Sequence, residues 1–307
     1  MSLDSDILLD RINLKNKLFK WRVLALVALG IMLFALANPE NNVSEKNIMT
    51  DYIASVDITG IIIDDKYRSK ILKDIADDER AKAIIINVDS PGGTTVGGEE
   101  LYEQIKGISE SGKPVVVVMK TLATSAGYMI AVASDYIIAR NGTITGSIGV
   151  IVQSAEFTDL AEKIGVKFHT FKSGPLKASP SPFEKLDPRA EEVMNDVIAD
   201  FYNYFVKIVA EGRNLPEEKV RELADGRIYG GRQALELGMI DEIGGQEEAL
   251  AWLVKEKNIA EDIAIEDISL IEPEHPFREL FFGEMSELDL FRKINMNGLL
   301  ALWNPNN

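Results

Sequence analysis

The chain has 307 residues and is 46% hydrophobic, enough to bury a sizeable core in one large domain or two small ones. Its formal net charge of −16 disfavours nucleic acid or any other polyanion as a partner. It contains no cysteine, which excludes disulfides, thiolate nucleophiles and cysteine-bound metals.

Residues 23–37 (VLALVALGIMLFALA) form an uncharged apolar run with Trp21 at its edge. Arg11, Lys15, Lys17, Lys20 and Arg22 precede it, and Glu40, Glu45 and Asp51 follow it. The positive-inside rule puts residues 1–22 in the cytoplasm and the rest of the chain outside it. The run is short against the roughly 20 residues of an ordinary span, but Trp21 and a snorkelling Arg22 lengthen it. Ala35-Leu36-Ala37 matches a secretory cleavage site. The long leading segment favours an uncleaved transmembrane signal anchor instead. Residues 38–50 read as a linker.

The remainder reads as alternating strands and helices. Ile53–Ile58 is a strand that continues through Gly60–Ile63 after a kink, and Tyr67–Asp78 has helical spacing. Ala83–Val88 and Pro114–Met119 are nearly continuous apolar strands, buried on both faces. Glu99–Ile108 and Ser125–Ala133 suit helices, and Tyr136–Ala139 a short strand. Val166–Phe171 alternates as a strand does, with His169 on its polar side. Pro188–Glu211 is a long helix capped by Asp187, and Glu217–Leu223 and Arg232–Leu237 are shorter ones. Repeated strand–helix–strand order implies a parallel sheet with covering helices. Active sites in such sheets form at the carboxyl ends of the strands.

Two strand ends carry chemistry. One continues into Asp89-Ser90-Pro91-Gly92-Gly93, the other into Thr124-Ser125-Ala126-Gly127-Tyr128. Ser125 supplies a nucleophile, and the amides of Gly93 and Ala126 are natural oxyanion donors. A histidine base would have to be His169 or His275, and His275 lies in an acidic segment far from any motif. Lysine is the better candidate. A lysine acts as a base only when neutral, which an apolar setting favours. Lys177 has Pro175, Leu176, Ala178, Pro180, Pro182 and Phe183 as such neighbours. Glu184 and Asp187 would oppose it if they touched it, so they are expected to point away. Lys172 is the rival base. Ser147, in Gly146-Ser147-Ile148-Gly149, is placed to accept a hydrogen bond from Lys177 and fix it. Each motif alone has a plainer reading: a strand-end turn, a small residue at a helix start, a solvated lysine. Their order and context together carry the inference.

On these residues the chain resembles the signal peptide peptidase A family, membrane-anchored bacterial Ser/Lys proteases of the Clp protease/crotonase superfamily. The resemblance covers approximately residues 50–250. It continues through Asp225-Gly226-Arg227-Ile228-Tyr229-Gly230-Gly231 and Gly238-Met239-Ile240-Asp241. It implies an α/β fold with a Clp protease/crotonase-like parallel sheet after one N-terminal transmembrane helix. It implies Ser125 as nucleophile, Lys177 as general base, Lys172 as structural, Ser147 as the lysine-orienting residue and Gly93 as oxyanion donor. It implies no cofactor and no metal. The substrates would be residual signal peptides, met at the inner membrane by a single-pass protein with its catalytic domain on the extracytoplasmic side. Because Ser and Lys meet across neighbouring copies in the family, a single-copy chain is expected to form a ring-like homo-oligomer. Ala178 stands where a polar residue is common in the family and Thr94 where a third small residue is common, departures that bear on substrate preference.

The expected domains are therefore the cytoplasmic segment 1–22, the anchor 23–37, the linker 38–50, the protease domain 51–257 and an extension 258–307. The extension is acidic at first (Glu261, Asp262, Glu266, Asp267, Glu272, Glu274) and then apolar in patches (Leu280-Phe281-Phe282, Leu299 to Trp303). A docked helix or an oligomer contact is expected there; the alternative is a tail touching the membrane or a neighbouring active site. Three rival functions follow from the same features. They are a crotonase-like acyl-CoA enzyme, a non-catalytic membrane scaffold, and a protease dedicated to one membrane-protein partner. The anchor, the external orientation and Lys177 speak against the first, and retention of Ser125 with Lys177 against the second.

Overall fold

A computed structural model of the chain describes residues 14–15, 17–30 and 50–271 and the backbone of 300–302. It divides into two units, Met1–Met49 with Pro273–Ile294 and Thr50–Glu272 with Asn295–Asn307. In the first unit, residues 14–15 and 17–30 are helical (α1), with Trp21, Leu24 and Leu26 exposed. Residues 31–37 of the expected anchor lie outside the described residues. Among the described residues no helix is long and apolar enough to cross a membrane, so the transmembrane helix is without structural support here.

The second unit is built on one large sheet. β1 (Tyr52–Thr59) runs into α2 (Lys66–Asp77), whose N-cap Asp65 accepts from the amides of Tyr67 and Arg68 at 3.0 and 3.1 Å. β2 (Ala81–Ser90) and β4 (Val115–Thr124) are the apolar runs seen in the sequence, and between them lie β3 (Gly92–Thr94) and α3 (Thr95–Glu110). Thr94 Oγ1 accepts from the Gly97 amide at 3.1 Å and starts α3 four residues earlier than its apolar spacing suggests. After β4 come α4 (Ala126–Ala131), β5 (Tyr136–Ala139), β6 (Ile144–Gly146) and α5 (Thr158–Lys163). Then follow α6 (Pro188–Arg213), α7 (Glu217–Leu223), β7 (Ile228–Gly230), α8 (Gly231–Glu236), β8 (Glu242–Ile243), α9 (Gln246–Lys257) and β9 (Ala264–Ile268). β10 (Leu300–Leu302) pairs with β3.

Strands β9, β1, β2, β4, β5 and β8 lie side by side and parallel. β4 is the pivot of the sheet. Its first half pairs with β5 and its last three residues pair with β6, which pairs antiparallel with β7. A register shift between Val88 and Ser90 accompanies the change. The Leu122 amide donates to Asp89 Oδ1 at 3.0 Å there, so a side chain takes a backbone amide of the bent strand.

Both faces of the central strands are covered. Ile53, Ala83, Ile85, Val116, Val118 and Ile138 pack against Ala249 and Leu253 of α9, with Trp252 stacked on Tyr136 at 4.7 Å. Burying one such aliphatic side chain is worth about 1.5–3 kcal/mol. Leu101, Tyr102 and Ile105 of α3 and all of α4 are buried too. This mixed α/β arrangement with a parallel-rich sheet fits the Clp protease/crotonase-like fold.

Two expectations change. Residues 166–171 form no strand, and no strand among the described residues pairs with them; Val166, Phe168 and Phe171 are exposed. The acidic segment after residue 257 contributes β9, an edge strand on β1, in an extension expected to hold a docked helix or an oligomer contact. Its Ala264, Ile265 and Ile268 suit a half-covered edge, and its acidic side chains discourage further pairing.

Candidate active site

Ser125 sits at the joint between β4 and α4. Its φ of 54° and ψ of −118° lie where a non-glycine residue is strained. Three hydrogen bonds hold it there. The Ser125 N–H donates to the Gly146 carbonyl at 2.8 Å, and the Ser125 carbonyl accepts from the amides of Tyr128 and Met129, both at 2.9 Å. The residue is 1% exposed, and its Oγ is buried without a hydrogen-bond partner among the described residues. Leaving a buried hydroxyl unpaired costs about 1–3 kcal/mol, so it calls for an explanation. Thr124 Oγ1 beside it has no hydrogen-bond partner among the described residues either.

Two further turns converge on this joint. Ser90 of β2 lies opposite Ala123 of β4, which brings Ser90-Pro91-Gly92-Gly93 beside Ser125. Ser90 Oγ accepts from the Gly92 amide at 3.1 Å, and Gly92 has a φ of 110°. A Cβ on Gly127 would meet the Ser90 carbonyl at 3.1 Å, so small residues let the two turns close. Gly93 is wedged against Ile62. The Ile62 amide donates to the Gly92 carbonyl and the Thr94 amide to the Ile62 carbonyl, each at 2.9 Å. A Cβ on Gly93 would fall 1.7 Å from the Ile62 oxygen, which explains the glycine.

The third turn is Gly146-Ser147, opposite Thr124 at the end of β6. Thr145 Oγ1 donates to the Ala123 carbonyl at 2.7 Å and ties β6 to β4. The Ser147 amide donates to the Arg227 carbonyl at 2.8 Å, and Ser147 too has a positive φ, 51°. Asp225 receives the Arg227 amide and guanidinium, and that guanidinium first, then the amide, holds its carboxyl down at about 2. Behind α4, the Tyr128 hydroxyl donates to the Met239 carbonyl at 3.0 Å. Burial pushes that phenol well above its ordinary range. Arg213 and Asp241 form a two-pronged pair at 2.6 and 3.0 Å beneath it.

The structure thus gathers Ser125, Ala126, Gly93 and Ser147. As the first residue of α4, Ala126 has no intrahelical acceptor for its amide. Lys177 makes no hydrogen bond to Ser125. It lies on an arm, residues 157–186, braced by a Phe168–Phe183 ring stack at 4.3 Å and a Phe157 N–H bond to the Pro182 carbonyl at 2.8 Å. Lys177 is exposed, and its side chain has no hydrogen bond or ion pair among the described residues. Lys172 is bound to Glu184, whose carboxyl is lowered chiefly by that lysine. Asp187 caps α6 through the Arg189 amide at 2.9 Å and pairs with the Arg189 side chain. Both carboxylates near the loop are therefore engaged away from Lys177. His169 is exposed on the same arm, and His275 lies outside the described residues.

Sequence reasoning missed two parts of this site. Ile62 and the Arg227 carbonyl act through backbone atoms, which no side-chain pattern marks. The Asp225-Gly226-Arg227 run was visible as a motif, but not its contact with Ser147.

Several known proteins are similar to this chain in sequence. Peptidase family S49 matches residues 108–260. A Synechocystis sp. protein provisionally named a protease is 44% identical over 65% of this chain and 72% of that protein. An Enterococcus faecium protein provisionally named a signal peptide peptidase SppA is 41% identical over 64% of this chain and 57% of that protein. Protease 4 of Haemophilus influenzae is 35% identical over 71% of this chain, which spans only 37% of that longer protein. Likeness to a solved chain, a point mutant of the 1510-N membrane-bound stomatin-specific protease, is limited to a TM-score of 0.46 at 18% identity over 73% of this chain and 99% of that one. The family match and the protease names of these relatives support a serine-type peptidase, and the chain belongs to peptidase family S49.

Proposed function

We propose that the chain is a serine endopeptidase in which Ser125 attacks the peptide carbonyl and Lys177 of a neighbouring copy takes its proton. The observation that carries this reading is the Ser125 hydroxyl: buried, unpartnered among the described residues, and held on a strained turn at a strand's carboxyl end. In the reaction, neutral Lys177 accepts the Ser125 proton as Oγ bonds to the carbonyl carbon. The amides of Gly93 and Ala126 hold the resulting oxyanion. Lys177 then gives the proton to the leaving amine, and water hydrolyses the acyl-enzyme by the reverse route. Ser147 accepts from the lysine and orients it.

A shared site accounts for the lack of a hydrogen bond between the two groups within one chain. Ser125 is buried at the sheet, whereas Lys177 is exposed on an arm that also exposes Phe171, Leu176 and Phe183. A second copy docked on that arm would cover those apolar side chains and desolvate the lysine. Substrates are extended apolar peptides bound along a strand edge, residual signal peptides foremost. The basic flank and apolar run at residues 11–37 support attachment to the inner membrane with the catalytic unit on the extracytoplasmic side. Hydrolysis of a fluorogenic apolar peptide tests the reading. Wild type should turn it over, and Ser125→Ala and Lys177→Ala should each lose at least about a thousandfold. Unchanged turnover in either variant would defeat it.

A further inference from the structure

β10 lies on the one strand that carries the proposed oxyanion amide. It runs antiparallel to β3, with Leu300 opposite Thr94, Ala301 opposite Gly93 and Leu302 opposite Gly92. Two of the three β3 amides are committed elsewhere: Gly92 to Ser90 Oγ at 3.1 Å and Thr94 to the Ile62 carbonyl at 2.9 Å. The Gly92 carbonyl is taken as well, by the Ile62 amide at 2.9 Å. Gly93 is the β3 residue whose N–H is left for the ladder. Opposite residues of an antiparallel pair exchange both backbone bonds or neither. Gly93 and Ala301 are therefore the pair placed to exchange them, which sets the Ala301 carbonyl toward the Gly93 amide.

A substrate strand needs that amide and that edge. From this juxtaposition we infer that β10 is an internal occupant of the substrate strand position, which a peptide must displace before Ser125 can reach its carbonyl. The inference rests on the reading of Gly93 and Ser125 given above. The composition of the tail agrees with it. Leu299-Leu300-Ala301-Leu302 is uncharged and apolar, the chemistry expected of the substrate, with its smallest residue at the register of Gly93. β3 is a three-residue edge strand whose outer side would otherwise be open to pairing with any extended chain. A tethered competitor acts at a high effective concentration, so weak pairing suffices to hold the edge.

Two variants of the full chain remove the occupant differently. Ala301→Pro lacks the N–H that would return a bond to Gly93, and a stop after Gly298 removes the strand. With a fluorogenic apolar peptide, both should lower KM by about tenfold and leave kcat within about twofold of wild type. An unchanged KM alongside hydrolysis that still requires Ser125 would overturn the inference and leave the protease reading intact. A second readout needs no activity. In a Ser125→Ala background, hydrogen exchange at the Gly93 amide should be slow, and should accelerate at least about tenfold when Ala301→Pro is added. Equal exchange in the two proteins would overturn the inference. Absence of Ser125-dependent hydrolysis in every form would instead defeat the protease reading, with exchange at Gly93 still deciding where β10 lies.

Discussion

The Ser125 amide donates to the Gly146 carbonyl at 2.8 Å, so the turn bearing the proposed nucleophile and the turn bearing Ser147 are one hydrogen-bonded structure. Gly146 makes this possible with a φ of +86°, and the next amide, that of Ser147, is tied to the Arg227 carbonyl. A Cβ at position 146 would come within 2.6 Å of the Tyr229 ring and 3.1 Å of the Arg227 oxygen. Gly146→Ala should therefore cost roughly 1–3 kcal/mol of stability. It should also lower kcat at least about tenfold with little change in KM, because it shifts Ser125 without touching the substrate edge. Urea unfolding and steady-state kinetics measure both.

Strain at Ser125 makes an opposite expectation for that residue. Its positive φ costs on the order of 1–3 kcal/mol, and glycine would relieve it while giving back about 0.5–1 kcal/mol of chain entropy. Ser125→Gly should unfold at higher urea, by about 1 kcal/mol in net stability, and hydrolyse nothing. A less stable variant would mean that the hydroxyl has a stabilising partner in the folded protein.

The two lysines of the arm should separate cleanly. Lys172 is spent on Glu184, with 13% of its side chain exposed, and losing that partly exposed pair should cost about 1 kcal/mol or less. Lys172→Ala should keep most of its hydrolysis. Lys177→Ala should keep its full stability and lose hydrolysis, since the side chain holds nothing among the described residues of its own chain. Thermal unfolding and peptide hydrolysis on the same preparations check the contrast.

Acid should weaken the Ser147 turn. The Asp225 carboxyl is depressed from 3.8 to about 2 by Arg227, and Arg227 supplies the carbonyl that holds the Ser147 amide. The folded value lies below the ordinary one, so this stabilisation is complete above about 4 and is lost as pH falls through about 2. Stability and reversible activity should both decline across that window. Asp225→Asn should flatten the part due to this carboxylate, as read from urea midpoints taken at successive pH values.

Much of this architecture is legible in residue order. Ala83–Val88 and Pro114–Met119 announce central strands because burial on both faces leaves no polar alternation. Asp187-Pro188 opens α6 as a cap and first-turn proline should. Ser125 falls at a strand end because a run of small residues follows an apolar one. What escaped notice depends on partners distant in the chain. Val166–Phe171 alternates like a strand but pairs with no strand among the described residues, so periodicity alone misleads there. β3 is three residues around two glycines, with no period to read, and exists because Ile62 and β10 flank it. The extent of β4 through Thr124 is set by β6, since Lys120, Thr121 and Thr124 give no apolar signal.

The most direct measurement of the central claim mixes the two inactive variants. Ser125→Ala and Lys177→Ala are unfolded together, refolded at equal amounts, and assayed with the fluorogenic peptide. If Ser125 of one copy works with Lys177 of its neighbour, the mixture should recover about a quarter of the wild-type rate, because half the copies keep the serine and half of their neighbours keep the lysine. A mixture that stays as inactive as its components, while refolded wild type regains full activity, would contradict a site shared between copies.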